Sequence, residues 1–364
     1  MICQKSLLFT AHLIFIFLLV NVLTKVFPFF SLCYYSRFVN WIVSLFIARH
    51  TFRYTKKRYL NDTVSSQGKT VLITGCDTGF GHMLAKHLDS KGFKVIACCL
   101  FPNNNGAKEL EKSCSERLKV VGLDVTKDES VAQVKEFVLK NLGDSELWAI
   151  VNNAGILKGV TIELTSLRDF KDSLEVNALG LVRVTQAFLP LLRRSKGRVV
   201  NITSAAGRNL IIFMGSYYMS KHAAVAFNDC LRREMEVWGI RVISIEPDFF
   251  GTPLIDEDAV NKGVDETFST LSDDVISDYG ERYLQGFKET NKYFFMFANS
   301  IPKEVIDALD SAITLKYPDN VYEPRASLLT TIIGFIYCRI SLEMQDFVVR
   351  FFRIILRFPK PKTS

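Results

Sequence analysis

Neither end of this chain contains an acidic residue. Residues 1–58 carry eight basic side chains (Lys5, Lys25, Arg37, Arg49, Arg53, Lys56, Lys57, Arg58) and no Asp or Glu. Residues 349–364 carry five more (Arg350, Arg353, Arg357, Lys360, Lys362), again without an acid. The formal net charge of the 364 residues is only +7, so the middle of the chain is acidic on balance. An acidic body with basic, greasy ends is no nucleic-acid binder, because no basic face belongs to the folded part. It suits a globular domain held at an anionic membrane surface. Metal-ligand spacing is also missing. The eight cysteines (Cys3, Cys33, Cys76, Cys98, Cys99, Cys114, Cys230, Cys338) form no CxxC pair, and no metal site is expected. Their scatter reads as small buried hydrophobes in a reducing compartment rather than a disulfide framework.

Hydrophobic residues make up 48% of the chain, which is high for a purely soluble protein. Leu7–Leu23 is an almost unbroken apolar run flanked by Lys5 and Lys25, near the lower length limit for a bilayer-spanning helix. No small-x-small cleavage site follows it, which argues against a removed signal peptide. A second apolar stretch, Val26–Tyr35 and Phe38–Ala48, is interrupted by Pro28 and Arg37 and reads as interfacial or re-entrant. Residues 1–58 are thus a membrane anchor, with a span at about 7–23 and an interfacial part at 26–48. The basic cluster Arg49–Arg58 then places the following domain in the cytosol.

From Lys69 short β-branched runs (Thr70–Thr74, Lys94–Cys99, Leu118–Leu123, Ala149–Asn152, Arg198–Ile202, Arg241–Ile245) alternate with helical stretches. The helices are expected near Gly81–Ser90, Ala107–Cys114, Ser130–Leu142, Leu179–Leu192 and Ser220–Val237. Such alternation predicts an α/β fold, a Rossmann-type doubly wound parallel sheet. Residues 252–300 lose this rhythm and suit a substrate-covering segment. In the extension at 301–364, Leu328–Cys338 is apolar. Asp346–Phe358 places Arg350, Arg353 and Arg357 on one helical face, as in an interfacial membrane helix.

Gly75, Gly79 and Gly81 follow the first strand and open a helix, in the run Gly75-Cys76-Asp77-Thr78-Gly79-Phe80-Gly81. Glycine permits the tight turn and close approach of backbone to a pyrophosphate, and the helix N-terminus offers free N–H groups. A 2′-phosphate calls for Arg or Lys in this turn or after the second strand. Instead the turn carries Asp77 and the second strand ends in Cys98-Cys99-Leu100, so NAD is favoured over NADP. Asp124-Val125 follows the third strand, where the carboxylate can either accept the adenine amino group or cap the next helix. Asn152-Asn153-Ala154-Gly155 ends the fourth strand; amides there can tie strands together, and small residues leave room for a ribose.

Ser204, Tyr217 and Lys221 carry the chemistry. Tyr217 and Lys221 are i and i+4, on one helical face. A nearby ammonium and an oxidised nicotinamide favour the phenolate. Tyr217 can then take the proton of an alcohol, with Ser204 bonded to the same substrate oxygen. His82 and His222 flank these motifs in surface or capping positions. Asn201-Ile202-Thr203 is a sequon on a strand and should be buried, whereas Asn61-Asp62-Thr63 is a better-exposed one.

In their common order and spacing these pieces resemble the short-chain dehydrogenase/reductase family over about 69–300. That resemblance implies that Asn177 is a further catalytic residue, shaping the active-site helix and relaying a proton to the lysine. It also places Thr252 at the nicotinamide-amide contact and Pro247, after the sixth strand, among the cofactor-binding residues. Asp248 stands where the family has glycine, a departure that bears on cofactor affinity or ring orientation; Asp tolerates unusual backbone angles in part. Several stretches, among them Leu147-Trp148-Ala149-Ile150-Val151 and Glu246-Pro247-Asp248-Phe249-Phe250-Gly251-Thr252, are similar to the retinol and hydroxysteroid dehydrogenase branch. The branch implies an endoplasmic-reticulum membrane enzyme, acting with NAD on a hydroxysteroid (3- or 17-position) or retinol, and allows a homodimer. Reduction of another lipid ketone, or a catalytically silent lipid-binding scaffold, are the alternatives.

Overall fold

The computed structural model describes residues 4–26, 37–209, 213–296, 302–327, 332, 336–337, 339–355, 358 and 360–362. Most of Val26–Tyr35 and of Leu328–Cys338, together with Arg357, Cys3 and Cys33, lie outside them. The chain divides into two units, residues 1–64 with 314–318, and 65–313 with 319–364.

The first unit is a helical pair, α1 (Gln4–Val26) and α2 (Arg37–Tyr59). Their contacts run in opposite directions: Phe9 meets Phe52, Phe17 stacks on Trp41, and Asn40 donates to Asn21 Oδ1 at 3.0 Å. His12 lies between the Thr51 and Thr55 hydroxyls at 2.9 and 3.0 Å. Asn40 and Ser44 are buried between the helices together with Ile16, Val20 and Ala48, whereas Phe15, Leu18, Ile42 and Phe46 are exposed. Residues 4–25 form a helix long and apolar enough to cross a membrane, whereas the apolar part of α2, Val39–Arg49, is shorter.

The second unit is built on seven parallel strands in the order β3-β2-β1-β4-β5-β6-β7. These are β1 (Lys69–Thr74), β2 (Lys94–Cys99), β3 (Leu118–Gly122), β4 (Glu146–Asn152), β5 (Arg198–Ile202), β6 (Arg241–Ile245) and β7 (Val321–Tyr322). A sheet buried on both faces needs apolar residues on both sides of each strand. Val71 and Ile73 accordingly pack on one face, with α3 (Gly79–Ser90), α4 (Asn105–Ser113) and α12 (Lys303–Thr314). Leu72 packs on the other, with α5 (Asp128–Leu142), α7 (Leu181–Ser195) and α8 (Gly215–Glu234). β2, β5 and β6 have the bounds expected from sequence, and the other expected strands and helices are displaced by at most a few residues.

Two features depart from the sequence pattern. α6 (Leu167–Leu174) runs into a π-helical segment, Glu175–Gly180, before α7. Residues 257–296 form three helices, α9 (Glu257–Ser269), α10 (Asp273–Tyr279) and α11 (Glu281–Met296). They share a separate apolar cluster with Val160 and Leu164, which also takes in Phe213 and, from the C-terminal extension, Phe358. The basic helix α13 (Leu342–Ile355) buries no residue, leaving Phe347, Phe351 and Ile354 exposed beside its arginines.

Candidate active site

The strand order reverses at β1, whose neighbours are β2 and β4, and the crevice at such a switch point is where α/β sheets take their ligands. Gly75 and Gly79 bend the chain there with φ of +68° and +64°. A Cβ on Gly81 would come within 2.4 Å of Asn153 Nδ2 and 2.5 Å of the Gly75 carbonyl, so only glycine lets α3 start this close to the strand. Asn153 fixes the turn, donating to the carbonyls of Thr74 and Gly75 at 2.8 Å each. The Thr74 hydroxyl accepts from the amides of Asn153 and Ala154 at 3.0 Å. Thr78 is the N-cap of α3 but its side chain makes no capping bond. First-turn amides of α3 are therefore not taken by a side-chain cap, which fits a dinucleotide pyrophosphate. The Phe80 ring packs edge-on against buried Phe250. Thr252 sits across the turn, 3.7 Å from where a Gly79 Cβ would be.

Asp77 closes the turn on the β2 side. Its carboxylate accepts from the amides of Leu100 and Phe101 at 2.8 and 2.9 Å, directly after β2, and from Asn104 Nδ2 at 3.1 Å. Asp124 makes a local turn, accepting from the Thr126 amide and hydroxyl at 2.9 and 2.7 Å. It does not cap α5, whose N-cap is Lys127. Val125, Ala154 and Val176 line the space at the ends of β1 and β4, and a cleft bounded by Thr126, Ile156 and Val176 adjoins it.

Asn177 lies in the π segment and is 2% exposed. It accepts from the Ile156 amide at 2.8 Å and donates to the Ile156 carbonyl at 2.9 Å and to Ser220 Oγ at 3.0 Å. π-Helical bulges recur at functional sites because the extra residue turns a side chain inward. Ser220 in turn donates to the Tyr217 carbonyl at 2.8 Å, so Asn177 is tied to the helix that carries Tyr217. A Cβ on Gly155 would be 3.3 Å from Asn177 Oδ1 and 3.8 Å from Lys221 Nζ, which brings all three to one point.

Tyr217 and Lys221 share α8. Burial pushes the Tyr217 phenol up to about 12, and a hydrogen bond with Ser204 acts in the lowering direction. Burial pulls Lys221 down to about 8. The expected ammonium–phenol contact takes a particular form: Nζ donates to the Ile202 carbonyl at 3.1 Å and stands 5.7 Å from the centre of the Tyr217 ring. The hydroxyl beside the phenol is that of Ser204, which accepts from the Ala206 amide at 3.1 Å and donates to the Pro247 carbonyl at 3.4 Å. Such a set can hold an alcohol oxygen between two hydroxyls and pass its proton to a lysine that titrates near neutrality. When bound, a nicotinamide supplies the hydride acceptor or donor.

Asp248 keeps a negative φ, since only Lys196, Phe213 and Met214 are positive among the described non-glycine residues. Glycine's freedom is not needed there, and the carboxylate accepts from the Ala326 amide at 2.8 Å, tying down the chain after β7. His82 faces the Cys76 carbonyl and Glu109, and His222 faces the Tyr218 carbonyl, outside the reacting group. Asn201 is fully buried, bonded to Asn152 and Asn228, while Asn61 is exposed. Cys76, Cys98 and Cys99 are buried free thiols that burial holds protonated. Among the described residues no cluster could hold a metal ion.

Residues 69–262 match the short chain dehydrogenase family. Human 17-beta-hydroxysteroid dehydrogenase type 6 is 37% identical over 257 residues, covering 70% of this chain and 80% of that protein. Human retinol dehydrogenase 16 is 40% identical over 255 residues, with the same coverage. The mitochondrial D-beta-hydroxybutyrate dehydrogenase of Rattus norvegicus is 39% identical over 276 residues, covering 74% and 80%. A short-chain dehydrogenase from Streptomyces avermitilis shares the fold with a TM-score of 0.59 at 22% identity, covering 82% of this chain and 100% of that one. The chain belongs to the short-chain dehydrogenases, in their retinol and hydroxysteroid branch, and is a nicotinamide-dependent oxidoreductase of CH–OH groups.

Proposed function

We propose that the protein is a membrane-held, NAD-preferring dehydrogenase of a lipophilic secondary or allylic alcohol, a hydroxysteroid or retinol. One observation carries the reading: Ser204 and Tyr217 form a pair of hydroxyls with the buried Lys221 behind them. Tyr217 is the proton-transferring group, Ser204 holds the substrate oxygen, and Lys221 and Asn177 supply the route by which the proton leaves. NAD is favoured because the Asp77 carboxylate occupies the end of β2. The aromatic and aliphatic cluster of Val160, Leu164, Phe213 and Phe287 beside the start of α8 favours a greasy substrate. Helix α1 and the exposed apolar, arginine-bearing face of α13 favour the membrane, with the catalytic domain in the cytosol.

The similarity to a mitochondrial hydroxybutyrate dehydrogenase supports a second reading, a small hydroxy acid as substrate. The full-length protein in membranes is offered androstanediol, retinol and 3-hydroxybutyrate, each with NAD and with NADP, and reduced-cofactor fluorescence is followed. Turnover of a lipid alcohol with NAD supports the proposal. Turnover of hydroxybutyrate alone moves the function to the second reading, and silence with every pair favours a non-catalytic scaffold.

A further inference from the structure

Glu246 is 1% exposed, yet it is an acid at the end of β6, directly before the proline whose carbonyl receives Ser204. A buried carboxylate is costly unless it is paired and hydrogen-bonded. Here Arg208 meets it with two guanidinium nitrogens, Nε at 3.2 and 3.3 Å from its two oxygens and Nη2 at 3.0 Å from Oε1. Ser244 donates to the same Oε1 at 3.0 Å. Arg208 ends the short turn 205–207 that Ser204 caps, its amide donating to the Ala205 carbonyl at 3.1 Å. Its remaining nitrogen, Nη1, reaches Asp229 Oδ2 at 3.2 Å, two turns beyond Lys221 on α8. The turn also lies hard on that helix: a Cβ on Gly207 would be 2.7 Å from the Lys221 carbonyl. One guanidinium therefore joins the exit of β5 with Ser204, the exit of β6 with Pro247, and the helix with Tyr217 and Lys221.

We infer that Arg208 and Glu246 are positioning residues that hold the Ser204 hydroxyl against the Tyr217 phenol. This rests on the roles proposed above for Ser204 and Tyr217. A bidentate guanidinium–carboxylate pair fixes angle as well as distance, which a single hydrogen bond does not. Ser204 itself bonds the Pro247 carbonyl at 3.4 Å, caps the Ala206 amide and accepts from the Gly207 amide at 2.9 Å, and the Ala205 amide reaches the Pro247 carbonyl at 2.9 Å; the pair adds side-chain links from this turn to Glu246 and to α8. The charged group facing Tyr217 on its own helix is Lys221, and the side chain of another element that shifts its titration is Ser204. Moving Ser204 is therefore readable at Tyr217.

Tyr217 ionisation is followed in the full-length protein with NAD bound, as the alkaline tyrosinate absorbance that disappears in the Tyr217→Phe counterpart of each variant. Ser204→Ala and Glu246→Gln should each move the titration to higher pH, and the double variant should move it no further than Ser204→Ala does, since partners in one network are not additive. Turnover in Glu246→Gln should fall about tenfold or more, as for a misplaced reacting group, with the KM for NAD within about twofold of the parent. Arg208→Lys keeps the charge but loses the fork and should fall in between; it decides the matter if Glu246→Gln does not fold. An unmoved titration in a folded Glu246→Gln or Arg208→Lys protein, or shifts that add to that of Ser204→Ala, overturns the inference. A titration that Ser204→Ala itself leaves unmoved overturns the roles of Ser204 and Tyr217 first, and this inference with them.

Discussion

Lys221 donates to the carbonyl of Ile202 at 3.1 Å while its Nζ stands 5.7 Å from the centre of the Tyr217 ring. The ammonium is held by the end of β5 from beneath, in a place where only 5% of the residue meets solvent. Burial lowers its pKa to about 8, so the folded chain gives up this proton more readily than the unfolded one.

The consequence for stability has a definite sign. An unfolded lysine keeps its proton up to the ordinary value of 10.5, whereas Lys221 keeps it only to about 8. Between these values the unfolded chain binds more protons, so stability rises with pH there, and below about 8 the full cost of the buried charge is present. Lys221→Met should be inactive yet more stable than the parent at neutral pH, by on the order of 1 kcal/mol once the lost Ile202 bond is set against the removed charge. Its advantage should shrink from about pH 8 to 10.5. Thermal unfolding of both proteins across that range checks this, and a variant that melts below the parent at neutral pH contradicts it.

Asp77 gives a prediction about cofactor choice. Asp77→Asn removes the charge and keeps one acceptor oxygen, so one of the two amides, Leu100 or Phe101, loses its side-chain partner. The ratio of kcat/KM for NADP over NAD should rise about tenfold or more, the scale of one like charge a few ångströms away. An unchanged ratio would mean that the carboxylate does not face the adenosine ribose.

Gly81 tests the dinucleotide turn. A methyl group there collides with Asn153 Nδ2 and with the Gly75 carbonyl, and backbone does not yield as a flexible side chain does. Gly81→Ala should cost about 1–3 kcal/mol of stability and weaken NAD binding, read by calorimetry. Tight binding in a stable Gly81→Ala protein would place the pyrophosphate elsewhere.

Asn177 supports the π segment. Asn177→Leu leaves both the amide and the carbonyl of Ile156 without their side-chain partner, at about 1–3 kcal/mol for each group that stays buried and unpaired. Both melting temperature and turnover should fall, whereas Asn177→Ser, able to rebond one of the two, should lose less of each.

The strands were legible because β-branched runs such as Arg198–Ile202 are long enough to specify themselves, and because the two glycines that bend the chain at positive φ lie where a strand must turn into a helix. Ser204, Tyr217 and Lys221 were singled out by their order together with the other motifs, and the structure brings the three side chains together. Their detailed contacts were not legible, because a sequence shows that Lys221 faces Tyr217 but not that the Ile202 carbonyl will claim its proton. Asp248 read as a flaw in a motif, whereas its partner, the Ala326 amide, lies 78 residues away. Arg208 and Glu246, 38 residues apart, have no local signal either. The helices at 257–296 were missed since they pack on their own cluster around Phe268 and Phe287, not on the sheet whose rhythm organises the rest.

The most direct measurement is turnover of androstanediol and retinol by Tyr217→Phe in membranes, with NAD binding measured on the same preparation. The phenol ring keeps its packing and loses only the hydroxyl. Turnover should fall by about 10²–10⁴-fold, the range of a lost general acid–base group, while NAD still binds. Undiminished turnover by Tyr217→Phe would contradict the role assigned to Tyr217.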